Sequence, residues 1–92
     1  MVRIRELIIS PRQEEHIWVK HQVAPHEVEE ACQSRLLVLR GRDESYAVYG
    51  RTDADRHLVA FLYPRGHGVF ALATAREMTD AERRRIQSVR DR

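Results

Sequence analysis

The positions of apolar residues divide this chain of 92 residues into a helical part and a sheet part. Val28, Ala31 and Cys32 recur at helical spacing and predict a buried stripe on a helix. From Leu36 onwards the period changes, and short apolar runs are separated by turn residues, a pattern typical of strands. A further strand is predicted at the start of the chain, over residues 3–9. The chain therefore predicts an α+β fold.

Three start signals place the helices. Ser10–Gln13 combines an N-cap serine, a proline at the first helical position and a glutamine for a capping box, which predicts a helix from residue 11 to about residue 20 or 21. Pro25 begins a second short helix. Thr79–Glu82 is a capping box that opens a third helix reaching the C-terminus. Because Ile86 and Val89 are its main apolar members, we expect this last helix to pack lightly.

The rest of the chain predicts a meander of four antiparallel strands joined by short turns, over residues 36–39, 46–51, 57–63 and 67–74. The turns set Arg51 opposite His57 and Tyr63 opposite His67. This register places His57 opposite Ala73. We therefore expect one α+β domain over residues 1–92, with a four- to five-stranded antiparallel sheet, two short N-terminal helices and a C-terminal helix.

Length and composition narrow the class of protein. A chain this short has room for one core. Its longest apolar run, Leu58–Tyr63, is far below the roughly 20 residues that a membrane span needs, and the N-terminal segment lacks the apolar stretch of a signal peptide. Cys32 is the single cysteine, so no disulfide can form within the chain. We therefore expect a cytoplasmic protein without a membrane partner.

The charges are nearly balanced but unevenly distributed. Lys and Arg total 16 against 14 Asp and Glu, and Lys20 is the sole lysine. The excess of arginine reflects either GC-rich codons or a use of the guanidinium fork, whose bidentate geometry suits phosphate. Residues 46–92 hold nine basic and six acidic groups, so the positive excess lies in the second half. This distribution is a mild indication of nucleic-acid binding.

The predicted strand pairing gathers cationic side chains at one end of the sheet. Alternation puts Arg51 and His57 on one face, with Tyr49 two residues back on the same side. Guanidinium groups, an imidazole and a phenol in one zone suit the binding of a phosphate. The predicted cluster consists of Arg51, Arg56, His57, Thr74 and Arg76.

Each of these features also has a purely structural interpretation. Arginines at strand ends are commonly solvated or paired with neighbours such as Asp53 and Asp55. Trp18 is expected as an anchor in the core, and His21 can stabilise the end of the first helix through the helix dipole. The arginine run 83–85 forms either a solvated helix face or a contact for nucleic acid or a protein partner.

No residue pattern predicts a metal or cofactor site. His16, His21 and His26 are five residues apart, so no two of them share the i, i+4 helical face that zinc sites use. The chain contains no cysteine pair, no glycine-rich phosphate loop and no Gly-x-Ser-x-Gly elbow. We therefore expect a protein that uses neither a metal nor a cofactor.

Three segments, in the right order, resemble the BrnT toxin family. Residues 18–31, with Trp-Val-Lys-His-Gln-Val and then Glu-Val-Glu-Glu-Ala, resemble its Lys-His-Gly-Val and the acidic helix that follows. Residues 49–59, with Tyr-Gly-Arg-Thr and then Arg-His-Leu-Val, resemble its Gly-Arg-Thr hairpin. Residues 75–85 resemble its closing Ala-Arg-x-Met-Thr-x-x-Glu-Arg segment, the most specific of the three. The resemblance covers roughly residues 7–87.

This resemblance implies a bacterial type II toxin with a fold similar to the RelE and ParE toxins. It implies an endoribonuclease that cleaves RNA without a metal and inhibits translation, together with a ribbon-helix-helix antitoxin similar to BrnA, through which alone the toxin contacts DNA. In such a reaction the 2′-hydroxyl of the RNA attacks the adjacent phosphate, an acid and a base move protons, and cations stabilise the phosphorane. The catalytic candidates are Arg51 and Arg76 for the phosphate charge, His21 or His57 for acid and base function, and Tyr49; the RNA-binding candidates are Arg56, Lys20 and Arg83.

Two positions depart from the family pattern, and both concern glycine. Gln22 stands where the family has glycine after Lys-His, at a helix end where glycine readily adopts a positive φ. Asp55 stands where glycine often precedes Arg56, and it puts a negative charge beside the predicted phosphate site. An alternative function is therefore a non-catalytic module, or an inactive toxin homologue, that binds an antitoxin or DNA-binding partner through its sheet edges or last helix. A housekeeping domain of unrelated function is a third hypothesis.

Overall fold

A computed structural model describes residues 3–91 of the chain. Met1, Val2 and Arg92, which the predicted domain and its C-terminal helix include, lie outside the described residues. The order of elements confirms the predicted α+β class. The strands are β1 (Glu6–Ile8), β2 (Leu37–Arg40), β3 (Tyr46–Arg51), β4 (His57–Gly66) and β5 (Val69–Glu77); the helices are α1 (Pro11–His21), α2 (Pro25–Ser34) and α3 (Asp80–Arg90), and a 3₁₀ turn (Arg42–Glu44) joins β2 to β3.

The five strands form one sheet in the order β1-β5-β4-β3-β2. Strands β2 to β5 make the predicted antiparallel meander. Strand β1 differs from the prediction because it pairs with β5 in parallel, with Glu6 opposite Val69. Parallel neighbours require a crossover connection, and here α1, α2 and strands β2 to β4 lie between the two strands in the chain.

The helix ends follow the signals in the sequence. The hydroxyl of Ser10 accepts a hydrogen bond from the N–H of Gln13 at 3.2 Å. At the start of α3, the N–H of Glu82 donates to Thr79 Oγ1 at 3.1 Å, and the N–H of Thr79 donates to Glu82 Oε1 at 2.8 Å, so the predicted capping box is confirmed. Gln22 ends α1 with φ 52°, the left-handed conformation that explains why glycine suits this position.

The β3–β4 hairpin has the predicted register. Arg51 pairs with His57, and Tyr49 pairs with Val59. These pairs confirm that Tyr49, Arg51 and His57 share one face of the sheet. Asp55, in the connecting turn, has φ 69°, and this left-handed conformation is the reason that glycine is favoured there.

The predicted register of the β4–β5 hairpin is wrong, because the turn lies farther along the chain. Tyr63 is opposite Ala71 and not opposite His67. Residues 64–66 carry turn-forming proline and glycine, yet they continue β4 through an irregularity in the pairing with β5. The turn is made by His67 and Gly68, whose φ angles of 55° and 80° match the positive values that a two-residue hairpin turn needs.

This shift changes the neighbours of the predicted cluster. His57 lies beside Met78, whose N–H donates to the His57 carbonyl at 2.9 Å, so the predicted pairing of His57 with Ala73 is wrong. Thr74 pairs with Phe61 and belongs to the middle of the sheet. Its predicted place in the cluster at the sheet end is therefore also wrong.

Helices α1 and α2 pack on one face of the sheet and form the core with it. Ile17, Val28 and Leu58 are fully buried there. Trp18, expected as a core anchor, is instead 57% exposed. Ile17 occupies the buried stripe of α1, and the next residue of a helix points about 100° away from it. None of the helices in the described part of the chain is long and apolar enough to cross a membrane.

Helix α3 lies over one end of the opposite face of the sheet. Ile86 is the buried residue of α3, and Met78, which lies just before the helix, is buried as well. This limited burial agrees with the light packing predicted from the sequence. The helix consequently leaves an open space between itself and the ends of β3 and β4.

Candidate functional site

A cleft of about 420 Å³ separates α3 from the end of the sheet. Its floor holds Arg51, the last residue of β3, and His57, the first residue of β4. Its wall is the face of α3 that carries Arg83, Arg84 and Arg90. The β3–β4 hairpin fixes the floor residues side by side, because they are directly paired across the two strands.

The charge of this cleft suits an anion. Four guanidinium groups line it, and Asp80 is the carboxylate among the lining residues. Arg51 forms a salt bridge with Asp55, with Nε and Oδ1 3.4 Å apart, but both side chains are more than half exposed. Exposed ion pairs of this kind contribute little free energy, so a phosphate can compete for the Arg51 guanidinium.

Next to the cleft, Arg76 of β5 and Tyr49 of β3 lie on either side of Val59 in the sheet, and Glu82 of α3 connects them. Arg76 Nη1 and Nη2 donate to Glu82 Oε1 and Oε2 at 2.8 and 3.1 Å. The Tyr49 hydroxyl donates to Glu82 Oε2 at 3.4 Å. Because Glu82 also caps α3, this single carboxylate joins the helix, β5 and β3.

The ionisation of this network follows from its contacts. The hydrogen bonds from Arg76 hold the pKa of Glu82 down at about 2, so the carboxylate stays charged. The pKa of Tyr49 is raised, chiefly by burial and then by the nearby Glu82 charge, so its phenol stays protonated. The hydrogen bonds to Glu82 raise the pKa of Arg76. The group therefore holds one fixed ion pair and one protonated phenol.

This ion pair predicts a change of stability with pH. The pKa of Glu82 is about 2 in the folded state and about 4.5 in the unfolded state, so its contribution is present above pH 4.5 and is lost as the pH falls towards 2. After allowance for partial exposure, we expect Glu82→Gln to lower the free energy of unfolding by about 1–2 kcal/mol at pH 7 and by almost nothing near pH 2. Urea titrations followed by circular dichroism measure both values.

The exposed Glu15, in the middle of α1, provides the control. Glu15→Gln should leave the stability close to that of the wild type at both pH values. An equal loss for Glu82→Gln at pH 7 and near pH 2 would show that the ion pair with Arg76 is not the source of the stability.

Arg56 lies on the other side of the sheet, among the helices. Its Nη1 donates to the Gln22 carbonyl and to both carboxylate oxygens of Glu27, each at 2.9 Å. Its Nη2 is 3.5 Å from a carboxylate oxygen of Glu77. These bonds tie the end of α1 to the start of α2. Lys20 and His21, in the last turn of α1, belong to this helical layer as well.

Comparisons with known proteins bear on this geometry. No protein-family model matches the sequence, and no curated protein matches it. The crystal structure of the Brucella abortus ribonuclease toxin BrnT superposes with a TM-score of 0.70, over 82% of this chain and 97% of that one. The fold is BrnT-like. The two chains are 13% identical, so the similarity confirms the predicted fold resemblance, and the ribonuclease activity is a property of the Brucella protein.

The BrnT-like fold brings two of the three sequence segments that carry the resemblance to the cleft. Residues 49–59 form the β3–β4 hairpin, and residues 75–85 form the end of β5 and the first turns of α3. Both segments border the cleft. Residues 18–31 lie in the helical layer. Of the predicted site residues, Arg51, His57 and Arg83 line the cleft, Tyr49 and Arg76 adjoin it, and Lys20, His21 and Arg56 lie apart from it.

Three contributors to this region are not among the predicted site residues, although Arg84 belongs to the arginine run 83–85. Arg84 and Arg90 line the cleft with Arg83. Arg83 and Arg90 are seven residues apart and share one face of the helix, so their spacing could have indicated a common wall. Glu82 was identified from the sequence only as a cap. Its contact with Tyr49, 33 residues away, has no local signal. Among residues 3–91, no group of three or more His, Cys, Asp or Glu side chains could hold a metal ion.

Proposed function

We propose that this chain is the toxin of a bacterial type II toxin–antitoxin system, an endoribonuclease that cleaves RNA without a metal and thereby inhibits translation in the cytoplasm. The observation that carries the proposal is the arginine-lined cleft with His57 on its floor, in a fold shared with a ribonuclease toxin. A cleft with several guanidinium groups and one imidazole has the groups that phosphodiester cleavage requires.

In the proposed reaction the RNA supplies its own nucleophile. The 2′-oxygen bonds to the adjacent phosphorus, the bond from phosphorus to the 5′-oxygen breaks, and the products are a 2′,3′-cyclic phosphate and a 5′-hydroxyl. His57 takes the proton of the 2′-hydroxyl, since imidazole exchanges protons near neutral pH. Tyr49 is the candidate donor to the leaving 5′-oxygen, because its phenol stays protonated beside Glu82.

The arginines stabilise the charge that develops on the phosphorane. Arg51 lies beside His57 and has a weak partner in Asp55, which makes it the principal phosphate ligand in this proposal. Arg83 contacts the neighbouring phosphates from α3. Arg76 adds charge from the next row, in competition with its bond to Glu82. Lys20, His21 and Arg56 lie in the helical layer, so the reaction proposed here does not use them, and their assignments stay predictions.

Inhibition of the toxin completes the proposed system. A ribbon-helix-helix antitoxin similar to BrnA binds the chain, and only that complex contacts DNA. A net charge of +2 on the toxin is weak support for direct DNA binding, because affinity for duplex DNA depends on many neutralised phosphates.

A direct assay tests the activity. Purified protein incubated with single-stranded RNA in EDTA should cleave it and leave 2′,3′-cyclic phosphate ends, because no step of the proposed reaction uses a metal. A DNA strand of the same sequence provides the matched control, since it lacks the 2′-hydroxyl and should stay intact. Loss of cleavage in EDTA, or equal cleavage of the DNA, would refute the proposed reaction.

One observation favours the second candidate function, a binding module without catalysis. Asp55 and Glu82 each pair with an arginine proposed for the phosphate, and so reduce the positive charge available at the site. In that case the same assay gives intact RNA with or without EDTA, while the folded protein still binds its antitoxin.

A further inference from the structure

Beyond α3, two aromatic side chains of β4 lie on the same face of the sheet as the cleft. Alternation along β4 buries Leu58, Ala60 and Leu62 against the helical layer. Phe61 and Tyr63 therefore share the opposite face with His57, which begins the strand in the cleft.

The cross-strand partners of these two aromatic residues have small side chains. Phe61 is paired with Ala47 on one side and Thr74 on the other, and Tyr63 is paired with Ala71. Tyr63 is 43% exposed and Phe61 is half-buried. Solvent-facing positions of an antiparallel sheet are usually polar, so an aromatic pair at these positions, with one ring exposed and one half-buried, indicates a surface that receives an apolar, flat ligand.

Arg76 links the aromatic pair to the cleft. Its guanidinium carbon lies 5.5 Å from the centroid of the Phe61 ring, within the range of a cation–π contact. Along β4, Phe61 is four residues from His57, about 13 Å at the rise of a strand. A short stretch of single-stranded RNA spans this distance. The positive charge of the cleft, contributed by neighbouring elements, and the aromatic faces of β4 thus follow one another on one face of the sheet.

We propose that Phe61 and Tyr63 form a stacking platform for nucleobases of single-stranded RNA as the chain leaves the cleft along β4. This inference rests on the proposed ribonuclease function and extends it to the recognition of bases. Nucleobases combine a flat apolar face with the phosphates that the adjoining arginines attract, and proteins bind single strands through that combination. An apolar protein partner would bind the aromatic rings but would gain nothing from the neighbouring guanidinium groups, whereas RNA uses both.

The experiment separates binding of bases from binding of phosphates. Fluorescence anisotropy is measured with two labelled oligonucleotides of equal length, one of 2′-O-methyl RNA and one abasic with the same phosphates. Both strands carry 2′-O-methyl groups and therefore have no free 2′-hydroxyl, so no cleavage disturbs the titration. The wild type should bind the base-containing strand about tenfold more tightly, within the range of one or two stacked bases.

Two variants and two controls assign the difference to the platform. Tyr63→Ala and Phe61→Leu should each weaken binding of the base-containing strand about five- to tenfold and leave the abasic strand unchanged. Tyr63→Phe keeps the ring and should bind as the wild type does. Trp18→Ala removes an exposed aromatic from the helical layer and should change neither affinity.

The outcomes distinguish this inference from the proposed function. Equal affinity of the wild type for both strands, or full affinity in Tyr63→Ala, would overturn the platform while leaving a phosphate-binding ribonuclease intact. Binding of neither strand by the wild type would overturn the proposed function together with the platform. Loss of protein-partner binding in Tyr63→Ala, with both RNA affinities unchanged, would assign the face to a protein and overturn the inference.

Discussion

Replacement of His57 by alanine should lower the rate of RNA cleavage by about 10²- to 10⁴-fold, the range for loss of a general acid or base. His57 lies on the floor of the cleft, paired with Arg51 across two strands, and no other histidine of residues 3–91 is among the cleft residues. Arg51→Ala should cost about 10²- to 10³-fold, because it removes the nearest cation from the developing phosphorane charge. Rates of cleavage of a labelled oligonucleotide at saturating protein measure both effects.

Arg12→Ala is the matched control, since Arg12 is an exposed arginine of α1 on the far side of the molecule. It should cleave at the wild-type rate. Circular dichroism and thermal unfolding must show that each variant is folded. Wild-type rates in folded His57→Ala and Arg51→Ala would refute the assignment of the cleft as the active site.

Arg76 requires a different design, because Arg76→Ala also leaves the Glu82 carboxylate without its partner. The double variant Arg76→Ala/Glu82→Gln removes both charges together. If Arg76 stabilises the phosphate, this double variant stays as slow as the single variant. Recovery of cleavage in the double variant would instead assign Arg76 to the docking of α3 through Glu82.

The parts of the fold that local chemistry specifies could be predicted from the sequence. The caps of α1 and α3 depend on side chains within three residues of one another, and both are confirmed. The Arg51–His57 pair depends on a turn bounded by clear strands. The shared face of Tyr49, Arg51 and His57 follows from that register.

The sequence-based predictions are wrong where the structure depends on a distant contact or on the exact position of a turn. Pro64 and Gly66 attract a turn assignment, yet both continue β4, and the two turn residues are His67 and Gly68. The parallel pairing of β1 with β5 depends on which sheet edge is free, and no local pattern encodes that choice. The separation of Arg56 from the cleft follows from its bonds to Gln22 and Glu27, 34 and 29 residues away.

Gly50 shows that part of the BrnT-like Gly-Arg-Thr segment serves the fold. Its neighbour Arg51 is the proposed phosphate ligand, whereas Gly50 lies where α2 crosses β3. A Cβ atom built on Gly50 would lie 1.8 Å from the Ala31 carbonyl oxygen and 2.8 Å from Ser34 Oγ. The glycine is needed for this close approach and not for a positive φ, since the described glycines with positive φ are Gly66 and Gly68.

Gly50→Ala should therefore lower the free energy of unfolding by about 3 kcal/mol or more, at the upper end of overpacking effects. Relief of the clash requires α2 to move away from β3, but Ala31 is fully buried on that helix, and Ser34 Oγ accepts a hydrogen bond from the Arg51 N–H at 2.7 Å. In a domain of this size the melting temperature should fall by about 12 °C or more. Urea and thermal unfolding followed by circular dichroism measure the loss.

Gly66→Ala separates steric overlap from conformational strain. Gly66 has φ +94° and no atom within 4 Å of an added Cβ, so its substitution meets strain alone and should lower the stability by about 1–2 kcal/mol. A smaller loss for Gly50→Ala than for Gly66→Ala would show that α2 can shift on β3. Because the Ser34 bond fixes the backbone of Arg51, such a shift would also displace the cleft floor, and RNA cleavage would fall with it. A stable Gly50→Ala protein with reduced cleavage would thus place the role of this glycine in positioning Arg51.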